Sequence, residues 1–362
     1  ILFCIKKMTQ KKDKSILVFR FSSLGDIAMT IPVLRSFFNT YPDQKIIFVS
    51  RTFVEPLFKE FENLEFIGVD FTADYQGIKG LFKLFSRLRK KNIKSVADLH
   101  NVLRTQALNF LFKLIFTKVQ KINKGRSERK RLTRKKNKNF KPLTPVHYRY
   151  CDVFRRLGYP VDLANHEYPI KPFLEQDSSE QQLLSSNAEK KIIGIAPFAS
   201  FSGKTYPLDL IQNVIAYLQK DHIIYLLGGG ENELRQIEVW DNAYDNVMDI
   251  SKNFNLEEQI NIINYMDLMI SMDSANGHLA ANCEVPVLTV WGMTHPFCGF
   301  APFDQGIENS IMIDRNYYPH IPTSIYGNKT PKGYENAFRS IEPKEVIEKA
   351  LEILKLTKPH HN

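Results

Sequence analysis

Asp273, Ser274 and His278 fall within one short stretch, MDLMISMDSANGHLAANCEVPVLTVWG (266–292), whose order of residue types suits the capture of a phosphate. Apolar 268–272 reads as a buried parallel strand and Ala275-Asn276-Gly277 as a tight turn. Residues 278–283 continue as a small-residue helix, and 287–291 form a second buried strand. A strand–turn–helix with small residues at the turn presents unpaired backbone N–H groups to an anion. Asp273 at the carboxyl end of the strand and His278 one turn into the helix face the crevice where open α/β sheets bind ligands. The same residues also describe an Asp-Ser helix cap and a packed histidine. The pattern gains weight only from other parts of the chain.

ILVFRFSSLGDIAMTIP (16–32) repeats that logic near the N-terminus: strand 16–21 runs into Ser22-Ser23-Leu24-Gly25-Asp26, and an apolar helix follows from Ile27. Together the two segments resemble the bacterial lipopolysaccharide heptosyltransferase family, glycosyltransferase family 9. Arg20, Gly25, Asp26 and Pro32 match its N-terminal signature of Arg-x-x-x-x-Gly-Asp with a Pro six residues on. The run from Asp273 to Ala281, then the turn Gly292-Met293-Thr294-His295-Pro296, match its C-terminal signature. Between them, IIGIAPFASFSGKTYP (192–207) places Ser200 and Lys204 at the family's hydroxyl and Lys positions. IIYLLGGGENE (223–233) puts Glu231 at an acidic position, and DLHNVLRTQ (98–106) carries Arg104 where the family has Lys. The resemblance covers roughly 15–300. Its departures are Ala275 for the usual Gly, His100-Asn101 for Gln-Gly, and a long basic insertion.

The resemblance implies a GT-B fold, two doubly wound Rossmann-like domains facing a central cleft. The expected divisions are an acceptor-binding domain over 15–172, a nucleotide-sugar domain over 185–340, and a C-terminal helix within 341–362. It also implies an inverting transfer of heptose from ADP-heptose to a lipopolysaccharide inner core. Such a reaction needs a base on the acceptor hydroxyl and stabilisation of the departing diphosphate. Asp26 holds the position of the family's proposed catalytic Asp; as an alternative it caps its helix. Lys204 supplies a point charge, Ser200 a hydroxyl, and the backbone of Ser274, Ala275 and Gly277 oriented donors. Matching positions put Asp273 and His278 at the donor sugar and phosphate and Glu231 near the nucleoside. Phe254 falls where an apolar residue packs on the base, or is plain core. Ser23, Gly25, Arg51 and Arg104 are the expected acceptor contacts, Arg suiting bidentate carboxylate recognition. No Asp-x-Asp stands at a strand end in a metal-binding context, so neither metal nor cofactor is expected. The first strand is not followed by G-x-G-x-x-G, which argues against a dinucleotide-dependent epimerase. Two alternatives stay open: a transferase with another nucleotide sugar, and a non-catalytic membrane- or RNA-binding protein.

The elements that must position these residues are legible as alternation. Strands are expected at 16–21, 45–50, 65–69, 95–98 and 119–122, then 191–196, 222–227, 246–250, 268–272 and 286–291. Helices include 53–60, 81–90, 102–116 and a final one at 343–356, with a linker and one helix over 161–190. Such alternation implies right-handed βαβ units and parallel sheets. At 362 residues and 43% hydrophobic content the chain suits two substantial cores. Four cysteines without paired spacing argue for reduced thiols in the cytoplasm. No apolar run reaches the length of a membrane span, and Met8 is a candidate start.

Charge is concentrated. Residues 118–141, KVQKINKGRSERKRLTRKKNKNFK, hold twelve Lys/Arg and one Glu against a chain total of +10. Such a run is commonly a solvated loop; as a functional element it attracts an anionic membrane surface. That reading places the protein at the inner face of the cytoplasmic membrane, with no nucleic-acid partner. LNFLFKLIF (108–116), just before it, is a core helix or an apolar flank that helps docking.

Overall fold

The computed structural model describes residues 14–185 and 190–357. Cys4, the candidate start Met8 and residues 358–362 of the expected C-terminal segment lie outside the described residues. The first half runs β1 (Ser15–Phe19), α1 (Leu24–Ala28), α2 (Ile31–Thr40), β2 (Ile46–Ser50), β3 (Leu64–Gly68) and α3 (Gly77–Leu88). It continues through β4 (Ile93–Asp98), α4 (Leu103–Leu114), β5 (Lys118–Lys121), α5 (Arg126–Thr133) and α6 (Val146–Leu157). The second half runs α7 (Ser179–Ser185), β6 (Ile192–Ala196), α8 (Leu208–Leu218), β7 (Ile223–Leu226), α9 (Glu231–Ala243) and β8 (Val247–Asp249). Then come α10 (Leu256–Ile263), β9 (Leu268–Met272), α11 (Ala275–Asn282), β10 (Val287–Trp291), β11 (Ser310–Met312) and α12 (Pro343–Leu356).

The strands form two all-parallel sheets, ordered β3-β2-β1-β4-β5 and β11-β10-β9-β6-β7-β8. Strands β1, β2, β6, β9 and β10 are buried at every position, and β4 over its last four residues, as expected where helices cover both faces. Each sheet has its own core: α3 and α4 close one around Phe19, Val49 and Val96, while α8 and α12 close the other around Ile195, Ile270 and Leu288. In each sheet the connections reverse direction once, between β1 and β4 and between β6 and β9. Such reversal points are where open α/β sheets leave a crevice at the carboxyl ends of their strands.

Three expectations need correction. The strand β11 was not anticipated; three residues, SIM, carry too little pattern to announce it. Helix 53–60 is a 3-10 turn over Thr52–Phe58, because Pro56 cannot donate to a helical ladder. The basic run is not one loop: the strand expected at 119–122 is present, and a helix that was not expected follows it. Lys118–Lys121 is an edge strand in register with β4, and Arg126–Thr133 is a helix. Leu132, fully buried beside Cys298 and Ile325, anchors that helix, and Glu128 pairs with Arg149 at 2.9 Å.

Contacts divide the chain into two compact units, and the expected unbroken first domain is interrupted twice. Ser23–Val33 and Asn123–Arg149 group with the second unit, together with the described residues from His166 onward. Side-chain chemistry explains both transfers. Asn282 Nδ2 donates to the Ala28 carbonyl at 3.0 Å, and Lys138 Nζ donates to the Pro322 carbonyl at 2.7 Å.

Candidate active site

The loops that follow β6 and β9 meet at the reversal point of the second sheet. Lys204 comes from the first loop and Asp273 from the second, and Lys204 Nζ lies 2.9 Å from Asp273 Oδ2. Their side chains are only 16% and 7% exposed. A pair so placed is costly to desolvate and is held by its geometry. The stem of Lys204 is covered by Gly327, where a Cβ would stand 2.2 Å from Lys204 Cγ. Only glycine fits there, and its φ of +73° is one that other residues rarely adopt. Sequence reasoning missed Gly327, which carries no motif.

Asp26 belongs to the same unit. It is the third residue of α1, and Ser23 Oγ donates to its Oδ2 at 2.8 Å in a capping box. The capping alternative is therefore real, and it occupies Oδ2. Gly25 sets how closely α1 approaches α11: a Cβ there would meet His278 Cδ2 at 3.1 Å and the Ala275 Cα at 3.3 Å. Ala275, the departure from the family pattern, opens α11 in ordinary helical geometry after an extended Ser274. Ser274 Oγ lies 3.2 Å from Ser271 Oγ, and a Cβ on Gly277 would press on that same Ser271. Asp26, Gly25, Lys204, Asp273 and His278 are thus gathered within one unit.

His278 is buried, and its Nδ1 has no hydrogen-bond partner. Burial pushes its pKa down to about 4, with Asp273 and Asp26 opposing and Lys204 adding to the fall. The imidazole is neutral near pH 7 and can donate or accept a hydrogen bond without bringing charge. Two neighbours escaped sequence reasoning. His147 on α6 is equally buried, pushed down to about 3 by burial and then by His278. Arg129 on α5 lies 5.0 Å from the Phe300 ring; burial lowers its pKa, and Asp26 is among the groups that oppose it. Cys298 is buried as well, its thiol pushed up to about 12 chiefly by burial, and so unreactive.

Other expected residues lie further out. Ser200 is exposed in the loop after β6, and Phe254 is half-buried just before α10. Glu231 opens α9 with its side chain 91% exposed, 3.7 Å from Arg235. Its neighbour Glu233 accepts from the Gly229 N–H at 2.9 Å, so it is Glu233 that closes the glycine turn. Arg51 and Arg104 are exposed residues of the first unit, and the Arg104 guanidinium lies 4.9 Å over Phe71. His100-Asn101, the second departure, donate both backbone N–H groups to Asp98 Oδ1. Among the described residues no three His, Cys, Asp or Glu side chains gather into a metal-binding set. No helix among them is long and apolar enough to cross a membrane.

Two doubly wound parallel sheets, each with its own core, make this an α/β protein of the GT-B kind. More narrowly, the chain belongs to glycosyltransferase family 9 (heptosyltransferase), whose profile matches residues 81–328, and it is a glycosyltransferase. It is 23% identical over 339 residues to lipooligosaccharide heptosyltransferase 2 of Campylobacter jejuni, covering 92% of this chain and 96% of that one. To the lipopolysaccharide core heptosyltransferase OpsX of Haemophilus influenzae it is 21% identical, covering 83% and 84%. The crystal structure of a family 9 glycosyltransferase from Veillonella parvula superposes with a TM-score of 0.74 at 20% identity, covering 95% of this chain and 98% of that one. Escherichia coli ADP-heptose heptosyltransferase II follows at 0.65 and 18%, covering 94% and 99%. At such identities the structural likeness speaks for the fold.

Proposed function

We propose that the protein transfers a heptose from ADP-heptose to a sugar hydroxyl of a lipopolysaccharide inner core, with inversion, at the inner face of the cytoplasmic membrane. The observation that carries this reading is the Lys204–Asp273 pair at the reversal point of the second sheet, in one unit with Asp26 and His278. The named activities of the Campylobacter and Haemophilus relatives support the donor sugar and the acceptor class.

Asp26 removes the proton from the acceptor hydroxyl, whose oxygen attacks the anomeric carbon as ADP departs on the opposite face. Negative charge grows on the diphosphate. Lys204 and the N–H groups opening α11 meet it with charge and dipole already in place. Asp273 holds Lys204 until the diphosphate arrives, then accepts from a donor hydroxyl. Neutral His278 hydrogen-bonds the donor without repelling Lys204. With these groups in position the reaction needs no metal, and activity should survive EDTA. Glu231 and Phe254 at the nucleoside, Ser200 at the phosphate, and Ser23, Arg51 and Arg104 at the acceptor complete the proposal.

The test is a transfer assay read by mass spectrometry, with a Kdo–lipid A acceptor and a panel of ADP-, UDP- and GDP-sugars. The reading expects heptose addition from ADP-heptose. It also expects Asp26→Asn to lower kcat by about a thousandfold at nearly unchanged ADP affinity, within the range for loss of a general base. Product from a UDP- or GDP-sugar alone would keep the transferase and change its donor. Full activity of Asp26→Asn would remove the base.

A further inference from the structure

Helices α3 and α4 pack side by side over the first sheet, with the Phe85 and Phe112 ring centroids 5.1 Å apart. Their inner faces give Leu84, Leu88 and Leu108 to the core. Their outer faces carry apolar side chains too, set among lysines and arginines. Ile78 and Phe82, one turn apart on α3, are 75% and 52% exposed; Leu103, Phe110 and Leu114, along one stripe of α4, are 84%, 61% and 60% exposed. Phe116, just past α4, is 98% exposed and sits at a φ of 59°, a conformation bulky residues avoid. A helix apolar on both sides ordinarily has something over each, and an exposed patch of this kind marks an interaction site.

The charges around the patch say what covers it. Between Gln76 and Thr117 nine Lys and Arg stand against one acid, Asp98, which is fully buried. Lys79 follows Ile78, Lys83 follows Phe82 and Lys113 precedes Leu114, all three exposed. Lys83 lies 3.9 Å from the exposed Asp74 carboxylate, donates to the Asp74 carbonyl at 3.4 Å and sits 5.4 Å over the Tyr75 ring, contacts that leave its ammonium group at the surface. Apolar side chains interleaved with lysines suit a bilayer boundary. The rings enter the acyl margin while the ammonium groups reach back to lipid phosphates. A second copy of the chain fits poorly, because a two-fold contact would bring the same lysines together, and Lys is depleted at protein interfaces.

We propose that the outer face of α3 and α4 docks on an anionic phospholipid bilayer, with Phe110 and Phe116 as the inserting side chains. The basic run 118–141, expected from sequence to be the membrane contact, begins two residues after Phe116 and adds electrostatic attraction rather than insertion.

The experiment is sedimentation of the full chain with phosphatidylglycerol–phosphatidylethanolamine vesicles, without nucleotide or sugar acceptor, so its outcome is independent of the transferase reading. The wild type should bind these vesicles and leave phosphatidylcholine vesicles alone. Phe110→Ser/Phe116→Ser should bind about tenfold less, with unchanged circular dichroism and solution mass. In an otherwise wild-type chain, Phe116→Trp should shift its emission to the blue on adding vesicles. Three results would overturn the proposal: wild-type binding retained by the double variant and lost only on reversing Arg126, Lys130 and Arg131; no emission shift at Phe116→Trp; or a wild-type mass twice that of the double variant, which would make the face a self-interface.

Discussion

An aspartate ends a central strand beside the reversal point of each sheet, and the two do different work. Asp98 ends β4 in the first unit and is fully buried. Its Oδ1 accepts the backbone N–H groups of His100 and Asn101 at 2.9 and 2.7 Å, and its Oδ2 accepts from Asn109 Nδ2 at 2.6 Å. Alongside, Arg20 Nη1 donates to the Leu99 carbonyl at 2.9 Å. Asp273, just past β9 in the second unit, instead holds Lys204, whose long stem and point charge can turn to another anion. An aspartate at a strand end is therefore not in itself a ligand site. Fixed backbone donors make it a brace, and a lysine makes it the holder of a movable charge.

Lys204→Ala is the sharpest way to break this contrast. It leaves Asp273 buried without its cation, at a cost of roughly 3 kcal/mol in denaturant unfolding. Lys204→Met/Asp273→Leu should recover most of that stability while still failing to bind ADP. If the double variant bound ADP like the wild type, the pair would be another brace. Asp98→Ala strands two backbone N–H groups and an amide, and should cost roughly 2–3 kcal/mol while leaving the KM for donor where it was. A raised donor KM with unchanged stability would reverse the roles of the two aspartates.

A smaller effect lies in pH. His278 is held down to about 4 in the fold against an ordinary 6.5. Below about 6.5 the unfolded chain takes up a proton that the folded chain refuses. The stability His278 supports is thus complete above that pH and is lost as pH falls toward 4. Between pH 7 and 5 the loss is about 2 kcal/mol for this group. His147, pushed down to about 3, adds in the same direction. His278→Gln should flatten the profile over this interval; an unchanged slope would show that the imidazole charges freely in the fold.

Much of the fold was legible because both sheets are parallel and covered on both faces, so their strands are unbroken apolar runs such as ILVF and LMISM. The final helix over 343–356 was legible for a related reason, its amphipathic stripe starting at a proline. The strand and helix around Asp273 were equally plain, since their pattern is local, although 275–277, expected as a tight turn, are the first turn of α11 and the chain bends instead at Asp273-Ser274. What escaped depends on contacts distant in sequence. Leu132 turns a basic run into a helix by packing on Cys298 and Ile325, and no local pattern announces that. Gly327 lies 123 positions from the Lys204 whose stem it covers. His147 and Arg129 carry no motif, and their burial comes from the grouping of 123–149 with the second unit. Of the exposed α3–α4 face, 108–116 was legible as apolar, either core or docking flank, and the fold buries Leu108 and Phe112 while leaving Phe110 and Leu114 exposed. The α3 half escaped, because periodicity shows how many sides of a helix are apolar, not which side the fold leaves uncovered.

The most direct test of the central claim is a calorimetric titration of ADP into the wild type and into Lys204→Met. Measurable ADP binding is expected of the wild type and at least about tenfold weaker binding of the variant, the effect of losing a charged partner to the diphosphate. Equal affinity in the two proteins would mean that the Lys204–Asp273 pair serves the fold alone and that the nucleotide binds elsewhere.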